Sequence, residues 1–147
     1  MTILAIDQGT SGTKAVVVDE NGGVLGLSAP PFRPPYLPGG GVEQNPEELL
    51  NSVLDAGRKA VEQAGVPIEA VSLANQGETV LAWDPSTGQP LSNLIVWQDR
   101  RSEGLCAELA EFGDQIAETT GLVLDPYFSA PKMAWLRQNV TRDGVVT

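Results

Sequence analysis

The octapeptide Asp7-Gln8-Gly9-Thr10-Ser11-Gly12-Thr13-Lys14 has the makings of an anion cradle. An apolar run delivers a carboxylate to its end, the glycines let backbone N–H groups approach an anion, the hydroxyls add hydrogen bonds, and Lys14 brings compensating positive charge. The Walker pattern does not fit, since a Gly-Lys-Ser or Gly-Lys-Thr ending is absent and the segment leads into a strand where a helix is required. The same residues also read as a Gly/Ser/Thr-rich hairpin turn with an acceptor at its start. Asn75-Gln76-Gly77-Glu78 follows a second apolar run. Ligands of open α/β sheets gather beyond the carboxyl ends of strands, so three polar side chains and a glycine there suit a hydroxylated substrate, with a solvated loop as the plain alternative.

Two later segments carry polar and aromatic groups with good structural explanations of their own. In Trp97-Gln98-Asp99-Arg100-Arg101, pattern alone makes Asp99 a helix cap and leaves both arginines exposed. In the stretch 120–129, Asp125-Pro126 is a turn, Ser129 an N-cap, and Tyr127 and Phe128 read as core aromatics at the edge of a helix. Cys106, among Leu105, Leu109 and Phe112, reads as packing and not as a reactive thiol.

Composition narrows the chemistry further. The 147 residues carry 9 Lys plus Arg against 19 Asp plus Glu, a net charge of −10, with no His and one Cys. Without histidine there is no Ser-His-Asp or Cys-His pair and no His-ligated zinc, and a lone thiol makes neither an internal disulfide nor a four-cysteine metal site. The charge repels phosphate backbones and anionic lipid alike, which argues against nucleic acid and membrane as partners. Met1-Thr2-Ile3-Leu4-Ala5-Ile6-Asp7 has no basic n-region and meets a charge too early for a signal peptide, so the expected location is the cytoplasm. An apolar fraction of 41% suffices for one globular core at this length.

These segments need elements to hold them. Strands are expected over 2–7, 15–19 and 24–28, with Asn21-Gly22 supplying the positive φ of a hairpin and 8–14 forming a polar turn. Five prolines and three consecutive glycines make 29–41 an extended surface loop. A helix follows with its punctuation intact: Asn45 as cap, Pro46 at the first position, Glu48 three residues after the cap, and Gly65 at the far end. Leu50, Val53, Leu54, Gly57, Val61 and Ala64 are its apolar face. The run 68–74 reads as a strand buried on both faces, 79–83 with 94–97 as a hairpin, and 100–112, 114–120 and 129–140 as helices. The order is that of an α/β fold, a mixed sheet flanked by helices, with no repeat and no second domain.

Together the segments resemble the N-terminal part of the FGGY carbohydrate kinases, and the glycerol kinase branch most closely. The residues that carry the resemblance are Asp7-Gln8-Gly9-Thr10, Gly41-Val42-Glu43 before Pro46, Asn75-Gln76 with Glu78-Thr79, Ile95-Val96-Trp97-Gln98 with Arg100-Arg101, and Gly121-Leu122-Val123 with Asp125-Pro126-Tyr127-Phe128-Ser129. They run in the family's order along nearly the whole chain. The resemblance implies an actin-like, ribonuclease-H-like fold in which two such domains clasp ATP and substrate, residues 1–147 being an incomplete N-terminal, substrate- and phosphate-binding domain. It implies transfer of the γ-phosphoryl of MgATP to a polyol or sugar hydroxyl, with ATP and Mg2+ as cofactors and a homo-oligomer at full length. By position, Gly9, Thr10, Ser11, Gly12, Thr13 and Lys14 would face the nucleotide phosphates, Lys14 replacing the branch's usual arginine. Asp7 would sit near magnesium and Thr10 near the transferred group. Gln76, Gly77, Glu78, Trp97 and Tyr127 would form the substrate pocket. Gly77 stands where the glycerol kinase branch has arginine, which removes a multi-donor clamp and leaves room for a larger acceptor, as in a xylulokinase-like ketose kinase. The general-base aspartate and the adenine-binding domain would lie downstream in the missing C-terminal part, so the 147 residues alone are expected to be inactive. A non-catalytic actin-like nucleotide-binding module is the reading from another class, and an acetate-kinase-like enzyme would have no need of the Glu78 and Tyr127 segments.

Overall fold

The structure is a computed structural model that describes residues 1–31 and 35–141; Pro34, counted above in the proline-rich loop, lies outside the described residues. The chain divides into two compact units, Met1–Pro34 with Pro46–Gln76, and Pro35–Asn45 with Gly77–Thr147.

In the first unit, β1 (Ile3–Gly9), β2 (Gly12–Val18) and β3 (Val24–Ser28) form an antiparallel meander. The turn expected over 8–14 shrinks to Thr10-Ser11, because both strands continue through the polar residues until Gly9 pairs with Gly12. Between β2 and β3 the Asn-Gly turn forms as expected: Gly22 has φ 80°, and Asp19 Oδ1 accepts from the N–H of Asn21 and of Gly23, each at 2.8 Å.

In the second unit the chain continues with β4 (Tyr36–Leu37), a short 3₁₀ turn (Pro38–Gly40) and β5 (Gly41–Gln44). The expected 29–41 loop therefore holds regular structure at its end: Gly39 and Gly40 take φ near +80°, folding β4 back onto β5.

Returning to the first unit, α1 (Pro46–Ala64) starts at Pro46 and ends where Gly65 takes φ 63°, as expected of that glycine. Its expected apolar face is met in part, with Gly57 buried and Val61 and Ala64 packed against the core. Ala56, Gly57 and Ala60 are buried while Leu50 and Leu54 are exposed. The cause is close approach, since a Cβ on Gly26 of β3 would lie 2.1 Å from Ala60 O, a spacing that admits only small residues between helix and sheet. Leu4, Ala15, Val17, Ala56 and Ala60 form this unit's core. β6 (Ala70–Asn75) then adds parallel to β1, giving the order β3-β2-β1-β6. It was expected to be buried on both faces, yet all six of its residues are exposed. Among the described residues it is an edge strand, paired with β1 alone.

The second unit goes on with β7 (Leu94–Ile95), which pairs with β5. The hairpin expected over 79–97 is reduced to single bridges, Val80 with Ile95 and Trp83 with Pro90. The first expected helix begins later and breaks, as α2 (Glu103–Glu108) and a 3₁₀ turn (Ala110–Phe112). Then come α3 (Gly113–Thr120) and α4 (Ser129–Asn139). Val80, Ala82, Ile95 and Leu136 form a separate core, so the described residues pack around two apolar clusters where composition suggested one.

Candidate functional site

Strand alternation sorts the residues expected to cradle phosphate. Leu4, Ile6 and Ala15 belong to the α1-side core, so Asp7 and Lys14, directly opposite each other in register, stand on the other face of the sheet. Asp7, Gly9, Ser11, Gly12, Thr13 and Lys14 line one open cleft of about 370 Å³ with Ala29, Pro30 and Pro31. Thr13 is buried and its hydroxyl bonds Ser52 Oγ of α1 at 2.8 Å, so that hydroxyl is committed to holding helix to sheet. Thr10 is tied to the end of β6: its hydroxyl donates to Gln76 Oε1 at 2.9 Å, and the Gln76 N–H donates to Gln8 O at 2.8 Å. Two predicted site residues from distant parts of the chain are thus brought into contact.

In the second unit Glu78 is the single non-glycine residue with positive φ among the described residues, at 60°. Left-handed backbone costs such a residue roughly 1 kcal/mol, and strain of this kind gathers at functional sites. Its Oε2 accepts from both the N–H and the hydroxyl of Ser129, each at 2.6 Å. Ser129, expected to cap α4 itself, is instead the first helical residue, and the Glu78 carboxylate takes the acceptor's place at the helix N-terminus, where negative charge is favoured. Tyr127, expected in the core, is 43% exposed. Its ring meets Trp97 edge-on at 5.6 Å and Phe128 at 5.0 Å, on a turn held by Asp125 Oδ1 accepting from the Tyr127 N–H at 2.8 Å. Around Gly77 a Cβ would meet nothing within 4 Å, and its φ is ordinary.

The Asp99 segment departs most from expectation. Asp99 caps no helix and is fully buried. Its Oδ2 accepts from the Val42 N–H at 2.6 Å and its Oδ1 from the Arg101 N–H at 2.8 Å. Arg101, expected exposed, lies with its side chain only 17% accessible, donating to both Asp99 oxygens and to Glu43 Oε1 while stacking 4.8 Å from the centre of the Trp135 ring. Adjacent charges in sequence gave the appearance of a solvated face; β5, far away in the chain, supplies a donor to Asp99 in the Val42 N–H and an acceptor to Arg101 in Glu43. Arg100 stays partly exposed, near Glu103 and Asp125. Cys106 is buried, and desolvation pushes its thiol above the usual range, as packing requires.

Lys132 of α4 was not singled out by any motif. It is fully buried and its Nζ donates to three successive carbonyls, Pro126, Tyr127 and Phe128, the first and last at 2.9 and 2.8 Å. The signal available was a lysine in the first turn of a helix, where a cation is disfavoured.

Among the described residues no group of three or more His, Cys, Asp or Glu is placed to hold a metal. Mg2+ keeps much of its water and takes one or two carboxylates plus substrate phosphates, so a single Asp7 beside an anion cradle fits it. Nor is any described helix long and apolar enough to cross a membrane.

Residues 2–143 match the family model for the FGGY family of carbohydrate kinases, N-terminal domain. Glycerol kinase 1 of Thermotoga maritima is 45% identical over 145 residues, covering 95% of this chain and 30% of that protein. Among solved structures, Plasmodium falciparum glycerol kinase with ADP superposes with a TM-score of 0.86 at 35% identity, over 94% of this chain and 29% of that one. A ligand-bound xylulose kinase from Lactobacillus acidophilus shares the fold, with a TM-score of 0.87 at 23% identity over 96% of this chain and 30% of that one. The chain thus spans about 30% of the length of the relatives it matches.

Proposed function

This chain belongs to the FGGY family of carbohydrate kinases, as part of its N-terminal domain, and on that premise we propose that the protein of full family length transfers the γ-phosphoryl group of ATP to a hydroxyl of a polyol or sugar. The observation that carries the reading is the cleft at the β1–β2 hairpin, which gathers Asp7, Gly9, Ser11, Gly12 and Lys14. There is little covalent chemistry for a protein to perform in phosphoryl transfer, and positioning with charge neutralisation does most of the catalysis. Backbone N–H groups of the glycine-flanked turn and the Lys14 ammonium are suited to phosphate oxygens, and Asp7 would hold Mg2+ through water. Magnesium, when bound, would neutralise charge developing on the phosphates. Thr10, tied to Gln76, would keep its turn in place beside them.

The acceptor's hydroxyls fall to Glu78, Tyr127 and Trp97. Glu78 spends Oε2 on Ser129, and Oε1 remains to accept from a hydroxyl; the exposed Tyr127 phenol donates or accepts, and Trp97 offers an apolar wall. The open space at Gly77 favours acceptors larger than a triol. A cytoplasmic setting goes with the reading, because ATP is an intracellular donor, and so does a homo-oligomeric full-length protein. The test is ADP release by the full-length protein with ATP and a panel of glycerol, xylulose, ribulose and erythritol. One or more of these is expected to be phosphorylated, with Glu78→Ala raising the acceptor KM about tenfold or more, the loss of one charge-assisted hydrogen bond. Indifference of every acceptor to that substitution would remove Glu78 from the site.

A further inference from the structure

Lys132 is the bulkiest fully buried side chain among the described residues. Its situation is costly in three ways. An ammonium is out of water, it stands in the first turn of α4 where the helix dipole opposes positive charge, and none of its bonds is to a carboxylate. A lysine that merely filled space would be replaced to advantage by an apolar side chain of similar length. What this one does is geometric. An ammonium has three donors, and all three go to the consecutive carbonyls of Pro126, Tyr127 and Phe128. Those carbonyls belong to the turn that carries the exposed Tyr127 ring against Trp97 and leads into Ser129, which Glu78 grips from its strained backbone.

We propose that Lys132 is the positioning residue of the acceptor site, its ammonium setting the 126–128 turn and thereby the placement of Tyr127 relative to Trp97 and Glu78. The proposal rests on the acceptor-site reading given above. Converging three carbonyl dipoles on one point is unfavourable unless a cation sits there, so the turn and the charge require each other. Burial pushes the ammonium down to about 8, against the pull of Glu78, Asp99 and Asp125, which face it from the loop after β6, the segment after β7 and the turn before α4; the Cys106 thiol of α2 completes its ionisable surroundings. Near neutral pH the group is charged and satisfies all three carbonyls. Above pH 8 the amine keeps two donors and one carbonyl is left without a partner.

The test uses the full-length protein labelled with 5-fluorotryptophan, the Trp97 resonance being assigned with Trp97→Phe, and kinetics with glycerol and with D-xylulose as acceptors. Lys132→Met, which keeps the stem and removes the donors, is expected to shift the Trp97 resonance and to raise the acceptor KM about tenfold or more, with the ATP KM and kcat changed far less, as misplacement of a positioning loop implies. Should that variant fail to fold, the wild-type protein carries the test: from about pH 7 to about pH 9.5 the Trp97 resonance and the acceptor KM are expected to move together with a midpoint near 8. A flat resonance in both experiments would overturn the clamp. A resonance that moves while the acceptor KM stays constant would leave the clamp standing and overturn the assignment of this turn to the acceptor.

Discussion

Asp99 shows how much of this chain's architecture rests on single buried charges. It accepts from the backbone of β5 through Val42, and from the backbone and guanidinium of Arg101, which in turn reaches Glu43 and stacks on Trp135. One carboxylate therefore joins β5, the segment after β7 and, through Arg101, α4. A buried pair is modest evidence for stability, because desolvation offsets its attraction, but removing one partner leaves the other uncompensated. Asp99→Ala is expected to destabilise the fold by about 3–5 kcal/mol, read as a lowered urea midpoint at unchanged slope. Arg101→Lys is expected to recover little, since an ammonium has neither the fork that meets both Asp99 oxygens nor the planar face that stacks on indole. A midpoint unmoved by Asp99→Ala would mean that the network follows the fold and does not hold it.

At the scale of elements, the contact of β3 with α1 is the tightest constraint. Gly26 has no close neighbour in sequence that explains it, and its φ is ordinary. A methyl group there would sit 2.1 Å from Ala60 O and 2.9 Å from Ala64 N, both backbone atoms. Gly26→Ala must therefore push the helix off the sheet and is expected to cost about 2–4 kcal/mol, measurable as a fall in thermal midpoint, with the cleft residues on the opposite face undisturbed. The helix itself was legible in the sequence through its Asn-Pro start and Gly65 end, and β3 was legible in full, because caps and turns are local chemistry. That Ala56 and Ala60 would be buried while Leu50 and Leu54 stay exposed was not, since hydropathy favours leucine while the distance to Gly26 favours alanine. The same division runs through the site. The hairpin at Asp7–Lys14 and the segments of Glu78 and Tyr127 stood out as candidates from local pattern, although the pattern made the turn too long and Tyr127 too buried. Arg101 could not be read in full, because Glu43 of β5 and Trp135 of α4 complete its surroundings from far along the chain; Lys132 has its partners only four to six residues back, but they are backbone carbonyls, whose direction leaves no mark in a side-chain pattern.

The whole chain leaves apolar surface uncovered. Among the described residues β6 pairs on one edge, and Val71 and Leu73 on it are 65% and 63% exposed. Beside β1, Leu4, Ile6, Val53, Leu54 and Val61 line an open apolar groove of about 390 Å³. The chain spans about 30% of the length of the relatives it matches, and exposed apolar patches of this kind are surfaces suited to being covered. The proposed chemistry is incomplete to the same degree. On the proposed reading the cleft and the Glu78–Tyr127 turn would hold phosphate and hydroxyls, whereas the base that takes the hydroxyl's proton, and the adenine pocket, have no counterpart expected among these residues. The 147-residue chain, purified free of host kinases, is therefore expected to release no ADP above background with any acceptor of the panel, and to bind an apolar-surface dye that the full-length protein binds weakly. Turnover by the short chain would place the proton acceptor among its own carboxylates and overturn this division of labour. Dye binding equal in the two proteins would mean that the β6 edge and the α1 groove remain open at full length.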